Sequence, residues 1–267
     1  MRQVEDGTGA LRHLGGWRRD LPRLGDSVVT IPSSVALPPK ADLPLMSKVP
    51  VYDQGQLGSC TANMGCAMFR YLCVHAGLPP LNVSRMSLYK STRMIEGTPL
   101  SVDSGAQIRS VMFALRKYGV ALEADDPYVD DGHQFTLAPT SVAVADAEGH
   151  QALFYYRLVD LHTIKASIVQ GFPVGFGFSV YENMMSQTAA STGLVYYPEP
   201  GEKSDGGHAV TCIGYDDGKV IGRETGALLI RNSWGDGWGQ GGSFWLPFSY
   251  VTSGLAADFW SLRSVAL

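Results

Sequence analysis

One run of apolar residues at helical spacing begins abruptly. Polar and glycine residues from Asp53 to Ser59 give way at Cys60 to Met64, Ala67, Met68, Tyr71 and Leu72, which fall on one face and predict a helix running from Cys60 towards His75. A second helix is predicted after the Pro79-Pro80 stop, capped by Ser84 and carrying Met86, Leu88, Tyr89 and Met94. A third amphipathic run, with Ile108, Val111, Met112 and Leu115, stops at Gly119. The period then changes. Ile164 to Val169 reads as a short helix ending at Gly171, and Val174, Phe176 and Phe178 alternate along a predicted strand from Pro173 to Val180. Further strands are predicted at His208 to Tyr215, Gly226 to Asn232 and Gly242 to Pro247, with a surface hairpin between Asp216 and Thr225. Between 129 and 160 the periodicity is too weak to place elements. Helices followed by strands predict an α+β chain.

Residues 1 to 36 have no sustained period and are interrupted by Gly7, Gly9, Gly15, Gly16 and Pro32. They nevertheless contain Trp17, Leu21, Val28, Val29 and Ile31, each worth ~1.5–3 kcal/mol when buried. Such a segment cannot build its own core, so it is expected to lie as an extended strap against the rest.

Composition narrows the classes. The 267 residues suffice for one large domain or two small ones, and a formal charge of −4 argues against nucleic acid as the main partner. No apolar run reaches a membrane span, and the start, Met-Arg-Gln-Val-Glu-Asp-Gly, is too polar for a signal peptide, which leaves the compartment open. Of the four cysteines, Cys66 and Cys73 are ~10 Å apart along one helix, too far for a disulfide, and four free thiols are expected. His13, His75, His133, His150 and His162 are scattered, so neither a metal nor a cofactor is expected.

The candidate chemistry centres on Cys60. On the first turn of a helix, free amide N–H groups and the helix dipole favour thiolate, the nucleophilic form. Gln54, six residues earlier across a glycine-rich turn, can bring a side-chain amide to an oxyanion. Two other stretches supply what a thiol nucleophile needs: Gly206-Gly207-His208-Ala209-Val210 entering a strand, and Leu229-Ile230-Arg231-Asn232-Ser233-Trp234-Gly235 leaving one.

Together these three stretches resemble the papain family of cysteine peptidases, over roughly Leu37 to Leu246. The resemblance implies Cys60 as nucleophile, His208 as base, Asn232 orienting the imidazole, Gln54 in the oxyanion hole and Trp234 shielding the His–Asn bond. It also implies a two-lobed fold: a helical left lobe, an antiparallel barrel-like right lobe, and an active-site cleft between them. On that pattern the chain divides into a strap (1–36), an interdomain arm (37–43), a helical lobe (44–140) and a β-rich lobe with the C-terminal tail (141–267). Gly105, Ala106 and Gly207 are expected to bind substrate. Selectivity is expected at the side chain two residues before the scissile bond, with room for medium or bulky apolar groups beside Gly207. The expected activity is endopeptidase hydrolysis through a thioester, with a Cys60–His208 ion pair; acyl transfer to another amine and a self-occluded binding module are the alternatives. The expected partners are a protein or peptide substrate and the strap itself, acting as an autoinhibitor in a monomeric, zymogen-like chain.

Departures from the family pattern are also legible. Leu57 stands where secreted members carry a disulfide cysteine, consistent with a bacterial branch. Thr61 replaces a bulky aromatic, Gly207 stands where many relatives have Asp, Ala106 replaces a second glycine, and residues 1–36 lack the long prosegment helix.

Overall fold

The computed structural model describes residues 2–21 and 23–267. Its central helix, α1 (Cys60–His75), is buried along all but its last residue. Small and apolar side chains occur on every face of α1, which is what a helix enclosed on all sides requires. On one side it packs against α2 (Arg85–Ile95) and α3 (Ile108–Lys117). On the other it meets the sheet, through β5 (Val174–Val180), β6 (Gly206–Ile221) and β9 (Ala256–Ala266). The Ser84 hydroxyl caps α2 by accepting from Ser87 N–H at 2.9 Å. Lys90 of α2 is buried and donates to Asp126 at 2.8 Å, fixing the following turn to the helical lobe.

The remaining strands of the sheet are β3 (Lys40–Asp42), β4 (Gln151–Leu158), β7 (Glu224–Arg231) and β8 (Ser243–Pro247). The seven strands pair antiparallel in the order β4-β9-β5-β6-β7-β8, with β3 added to β6. Val174, Phe176, Phe178 and Val180 of β5 are fully buried, in agreement with the alternation read from sequence.

The barrel-like right lobe expected from the sequence is not what forms: the sheet is open. Closure would require β4 and β8 to pair, and each outer edge is already engaged by irregular chain. Along β4, Arg157 N–H donates to Ser27 O at 2.8 Å and Arg157 O accepts from Val29 N–H at 3.0 Å. Along β8, Trp245 exchanges backbone bonds with Gly193 (2.7 Å) and Val195 (3.1 Å). The fold is two-lobed α+β, with a helical lobe against an open sheet lobe.

The region from 129 to 160 contains a short 3-10 turn, α4 (Ser141–Ala147) and β4. In α4 only Ala143 and Ala147 are buried, so no apolar stripe marks it. Later come α5 (Leu161–Val169), with a capping box between Asp160 and Thr163, and the short α6 (Gln187–Thr192) and α7 (Ser249–Thr252). The expected hairpin forms as β6 runs to Ile221 and β7 returns from Glu224.

The described residues before the arm are held by contact with the rest of the chain. A hairpin of β1 (Arg2–Glu5) and β2 (Leu11–Leu14) is turned by Asp6, whose carboxylate accepts from the Thr8 and Ala10 backbone at 2.8 and 3.2 Å. Leu14 and Trp17 are its buried apolar anchors, whereas Leu21 and Val28 are exposed.

Candidate active site

Cys60 is the first residue of α1 and is 1% exposed. Its Sγ accepts a hydrogen bond from Ala209 N–H at 3.4 Å, which places the thiol beside His208 on β6. Among the described residues no direct Sγ–imidazole hydrogen bond forms, although the sequence motifs led us to expect one or a near approach. His208 Nε2 lies 2.8 Å from Asn232 Oδ1, and that same oxygen accepts from Ser233 N–H at 2.9 Å. An amide oxygen accepts only, so it keeps the ring proton on Nε2 and leaves Nδ1 as the basic nitrogen.

Trp234 covers this pair. Its indole stacks on the imidazole at 5.0 Å and 27°, and Trp238 packs edge-on behind it at 5.0 Å. Gln54 is wholly buried; its Nε2 donates to Leu57 O at 3.0 Å and its Oε1 accepts from the Ser233 hydroxyl at 2.7 Å. One amide hydrogen remains for a further acceptor. Tyr128 donates to Gln54 O at 2.8 Å and bonds the Ser59 hydroxyl at 2.5 Å. Asp103 accepts from Gly58 N–H at 2.9 Å and from the Tyr89 hydroxyl, bracing the loop before the cysteine. These supports join residues far apart in sequence, and only the backbone path brings them together.

Residues 12 to 18 run across the cleft. Arg12, 4% exposed, pairs with Asp6 at 2.8 Å and Asp53 at 2.5 Å, donates to Trp234 O at 3.2 Å and lies over the Trp234 ring. Gly15 N–H donates to Gly207 O at 2.8 Å; Ala106 N–H donates to Gly16 O at 2.9 Å; Arg18 N–H donates to Ala106 O at 3.0 Å. Gly105, Ala106 and Gly207 thus meet around the backbone of the strap. A Cβ on Gly16 would lie 2.8 Å from Cys60 Sγ and 2.6 Å from Gly58 O, so only glycine can pass directly over the thiol. Trp17 fills the adjoining hollow, where a Cβ on Gly177 would lie 2.0 Å from its ring. Gly207, expected to leave open space, is covered by the same indole.

Burial sets the protonation states beneath the strap. It pushes the Cys60 thiol up to about 12, against smaller downward pulls from the Ala209 and Thr61 N–H groups. It lowers His208 to about 4; the Asn232 bond opposes this and the Arg12 cation adds to it. Near neutral pH the covered pair is therefore thiol and uncharged imidazole. Cys66, Cys73 and Cys212 are also free and buried. Thr61 is fully buried with its hydroxyl unpartnered, filling the space beneath the cleft without the ring surface of an aromatic. Among the described residues no group of three His, Cys, Asp or Glu side chains is arranged to hold a metal, and no helix is long and apolar enough to cross a membrane.

A family model described as papain family cysteine protease matches residues 37–258. An uncharacterized peptidase C1-like protein of Acanthamoeba polyphaga mimivirus is 34% identical over 259 residues, covering 91% of this chain and 76% of its own. The crystal structure of xylellain, a cysteine protease from Xylella fastidiosa, superposes with a TM-score of 0.85 at 34% identity over 99% of this chain and 98% of that one. Digestive procathepsin L 3 of Tenebrio molitor larval midgut shares the fold, with a TM-score of 0.67 at 22% identity over 91% of this chain and 75% of that one.

Proposed function

Since the chain belongs to the papain family of cysteine proteases, in its bacterial branch, and is a cysteine-type endopeptidase, we propose the following roles for its residues. Once the cleft opens, water and substrate relieve the burial of Cys60 and His208, and a proton passes from the thiol to Nδ1. The thiolate attacks the scissile carbonyl carbon. The oxyanion is held by the remaining Gln54 amide hydrogen and the Cys60 backbone N–H, two donors fixed before the charge develops. The intermediate collapses, the C–N bond breaks, and His208 gives its proton to the departing amine, leaving a thioester on Cys60. His208 then takes a proton from water, the resulting hydroxide displaces the thiolate, and the carboxylate product leaves. Asn232 keeps the ring oriented through both transfers, and Trp234 keeps water from competing for the Asn232 oxygen.

The single observation that carries this assignment is the His208–Asn232 bond at 2.8 Å, in a ring whose neighbouring residue holds the Cys60 sulfur. Replacement of Cys60 by Ala is expected to leave a folded chain without peptide turnover. Undiminished turnover would remove Cys60 from the mechanism.

The strap is read as an autoinhibitor that keeps the chain zymogen-like until it is displaced or cut. Supporting this, its backbone bonds use Ala106 and Gly207, the groups assigned to a substrate backbone, and Gly16 lies over the sulfur. Residues 37–43, 44–140 and 141–267 are taken as the arm and the two lobes of the working enzyme, a monomer whose cleft the strap leaves when peptide enters.

A further inference from the structure

Asp103 makes contacts that the chemistry above does not use. Gly105, with φ of 65°, turns the chain just after it, so that the Asp103 carboxylate meets the loop before Cys60 while the Gly105 N–H meets Tyr89. Asp103 Oδ2 accepts from Gly58 N–H at 2.9 Å, and Oδ1 accepts from the Tyr89 hydroxyl. That hydroxyl in turn accepts from Gly105 N–H at 3.0 Å. Tyr89 is wholly buried; burial first, and the Asp103 charge second, push its pKa up, so the phenol stays protonated and donates. His13 of the strap lies 3.3 Å from Oδ2 and departs with the strap, whereas the other bonds are internal to the enzyme.

Gly58 N–H belongs to the same peptide plane as Leu57 C=O, and Leu57 O is the acceptor that anchors the Gln54 side-chain amide at 3.0 Å. One rigid peptide therefore stands between the Asp103 carboxylate and the donor assigned to the oxyanion. A charged acceptor on its N–H makes a bond roughly twice as strong as a neutral one, and polarises the carbonyl at its far side towards Gln54. We propose that Asp103 is a positioning residue of the oxyanion hole: through the Leu57–Gly58 peptide it fixes the plane of the Gln54 amide and aims the remaining amide hydrogen at the developing charge. Tyr89 holds the carboxylate in place and ties it to the Gly105 backbone, so the wall and the oxyanion loop share one support. The same carboxylate opposes charge on Cys60, whose thiol is raised chiefly by burial and in lesser part by Asp103. Asp103 thus disfavours the thiolate while it favours the oxyanion donor, a pair of opposite effects that a mere structural prop would not produce.

The inference rests on the roles proposed above for Gln54 and Cys60, and a double-mutant cycle tests it. In the full-length chain carrying Trp17→Ala, kcat/KM for a peptide amide would be compared with the rate of Cys60 alkylation by iodoacetamide. Alkylation needs the thiolate but no oxyanion hole, and opening of the strap enters both rates alike, so their ratio isolates the oxyanion hole. Loss of one oxyanion donor costs about 10²–10³ in rate. Gln54→Ala is expected to lower the ratio by about that factor, Asp103→Asn by at least about tenfold, and the two together by no more than about twofold beyond Gln54→Ala alone. The pH midpoint of alkylation is expected to move down in Asp103→Asn. Tyr89→Phe, which removes only the hydroxyl that holds the carboxylate, goes through the same cycle with a smaller expected loss, and carries the test if melting curves show that Asp103→Asn does not fold. Losses that multiply in the double variant, an unchanged ratio, or a midpoint moved up would each overturn the proposal. Turnover that survives complete alkylation of Cys60 would instead overturn the role proposed for Cys60, and this inference with it.

Discussion

Replacing Trp17 by Ala is expected to unlatch the strap without touching any residue assigned to catalysis. The indole is 6% exposed and donates one hydrogen bond to Asp258. An aromatic side chain buries ~150–250 Å², which at ~25 cal/mol per Å² corresponds to ~4–6 kcal/mol for complete removal. Alanine keeps its own share of that area. Water can enter a hollow at the mouth of a cleft, so no empty cavity adds to the cost, and ~3–4 kcal/mol is a reasonable net loss of grip. The lost hydrogen bond lies within that figure, because Asp258 keeps the Asp20 N–H while the rest of the strap stays seated. Such a change moves the open-to-covered ratio by roughly two to three powers of ten. The assay is alkylation of Cys60 by iodoacetamide under native conditions, followed by peptide mapping. Cys66, Cys73 and Cys212 are each 0% exposed and serve as internal controls for global unfolding. The Cys60 rate is expected to rise at least a hundredfold in Trp17→Ala, until opening ceases to limit it, and about tenfold in Trp17→Phe, which loses the donor and part of the ring but keeps most of the apolar area. A Trp17→Ala rate within about twofold of the parent would refute the claim that this side chain holds the strap over the thiol. Equal acceleration at all four cysteines would show that the substitution had unfolded the lobes.

Asn232→Ala is expected to leave a folded enzyme whose kcat/KM falls by about ten- to a thousandfold, less than Cys60→Ala, since it orients a base and forms no bond; a loss equal to that of Cys60→Ala in a folded chain would contradict a purely orienting role. Two buried groups pull the strap's grip in opposite directions with pH. Burial, with Asp258 beside it, raises Asp20 to about 6, so its contribution to covering is full below the ordinary carboxylate value of ~3.8 and is lost as pH rises through about 6. Burial lowers His208 to about 4, so its contribution is full above the ordinary imidazole value of ~6.5 and is lost as pH falls towards about 4. Protection of the Arg18 amide, from hydrogen exchange corrected for intrinsic rate, is therefore expected to stay nearly flat between these limits in the parent chain. In Asp20→Asn it should decline on acidification, and an increase would reverse the sign assigned to His208.

Much of the site was legible because its chemistry is local. The polar-to-apolar switch at Cys60 marks the start of α1, and the stretches around His208 and Asn232 lie on β6 and at the end of β7, where strand periodicity placed them. The supports were not legible. Tyr128, Asp103 and Ser233 each act on a loop distant in sequence, and no periodicity reports such pairings. Trp17 stood out as an apolar residue too costly to expose, whereas Leu21 and Val28, singled out with it, remain on the surface. The strap is held by charge as well as by apolar anchors, through Arg12 with Asp53 and Asp26 with Arg109. Its β1–β2 hairpin could have been read from the Asp6-Gly7 turn signal, but its four-residue strands carry little alternation. The barrel expectation failed for a different reason: closure depends on what covers the outermost strands, and the segments that do so, around Ser27 and Gly193, form isolated bridges there and not strands.

If Cys60 carries the acyl group of the cleaved peptide, that group can be trapped on it. The full-length chain, as the parent and as Trp17→Ala, would be mixed with a peptide ester substrate, quenched in acid within the first turnover and digested for mass spectrometry. The acyl mass is expected on the fragment containing Cys60, rising faster in Trp17→Ala and absent from Cys60→Ala. An acyl group on another residue, or turnover by Cys60→Ala at the parent rate, would contradict the role assigned to Cys60.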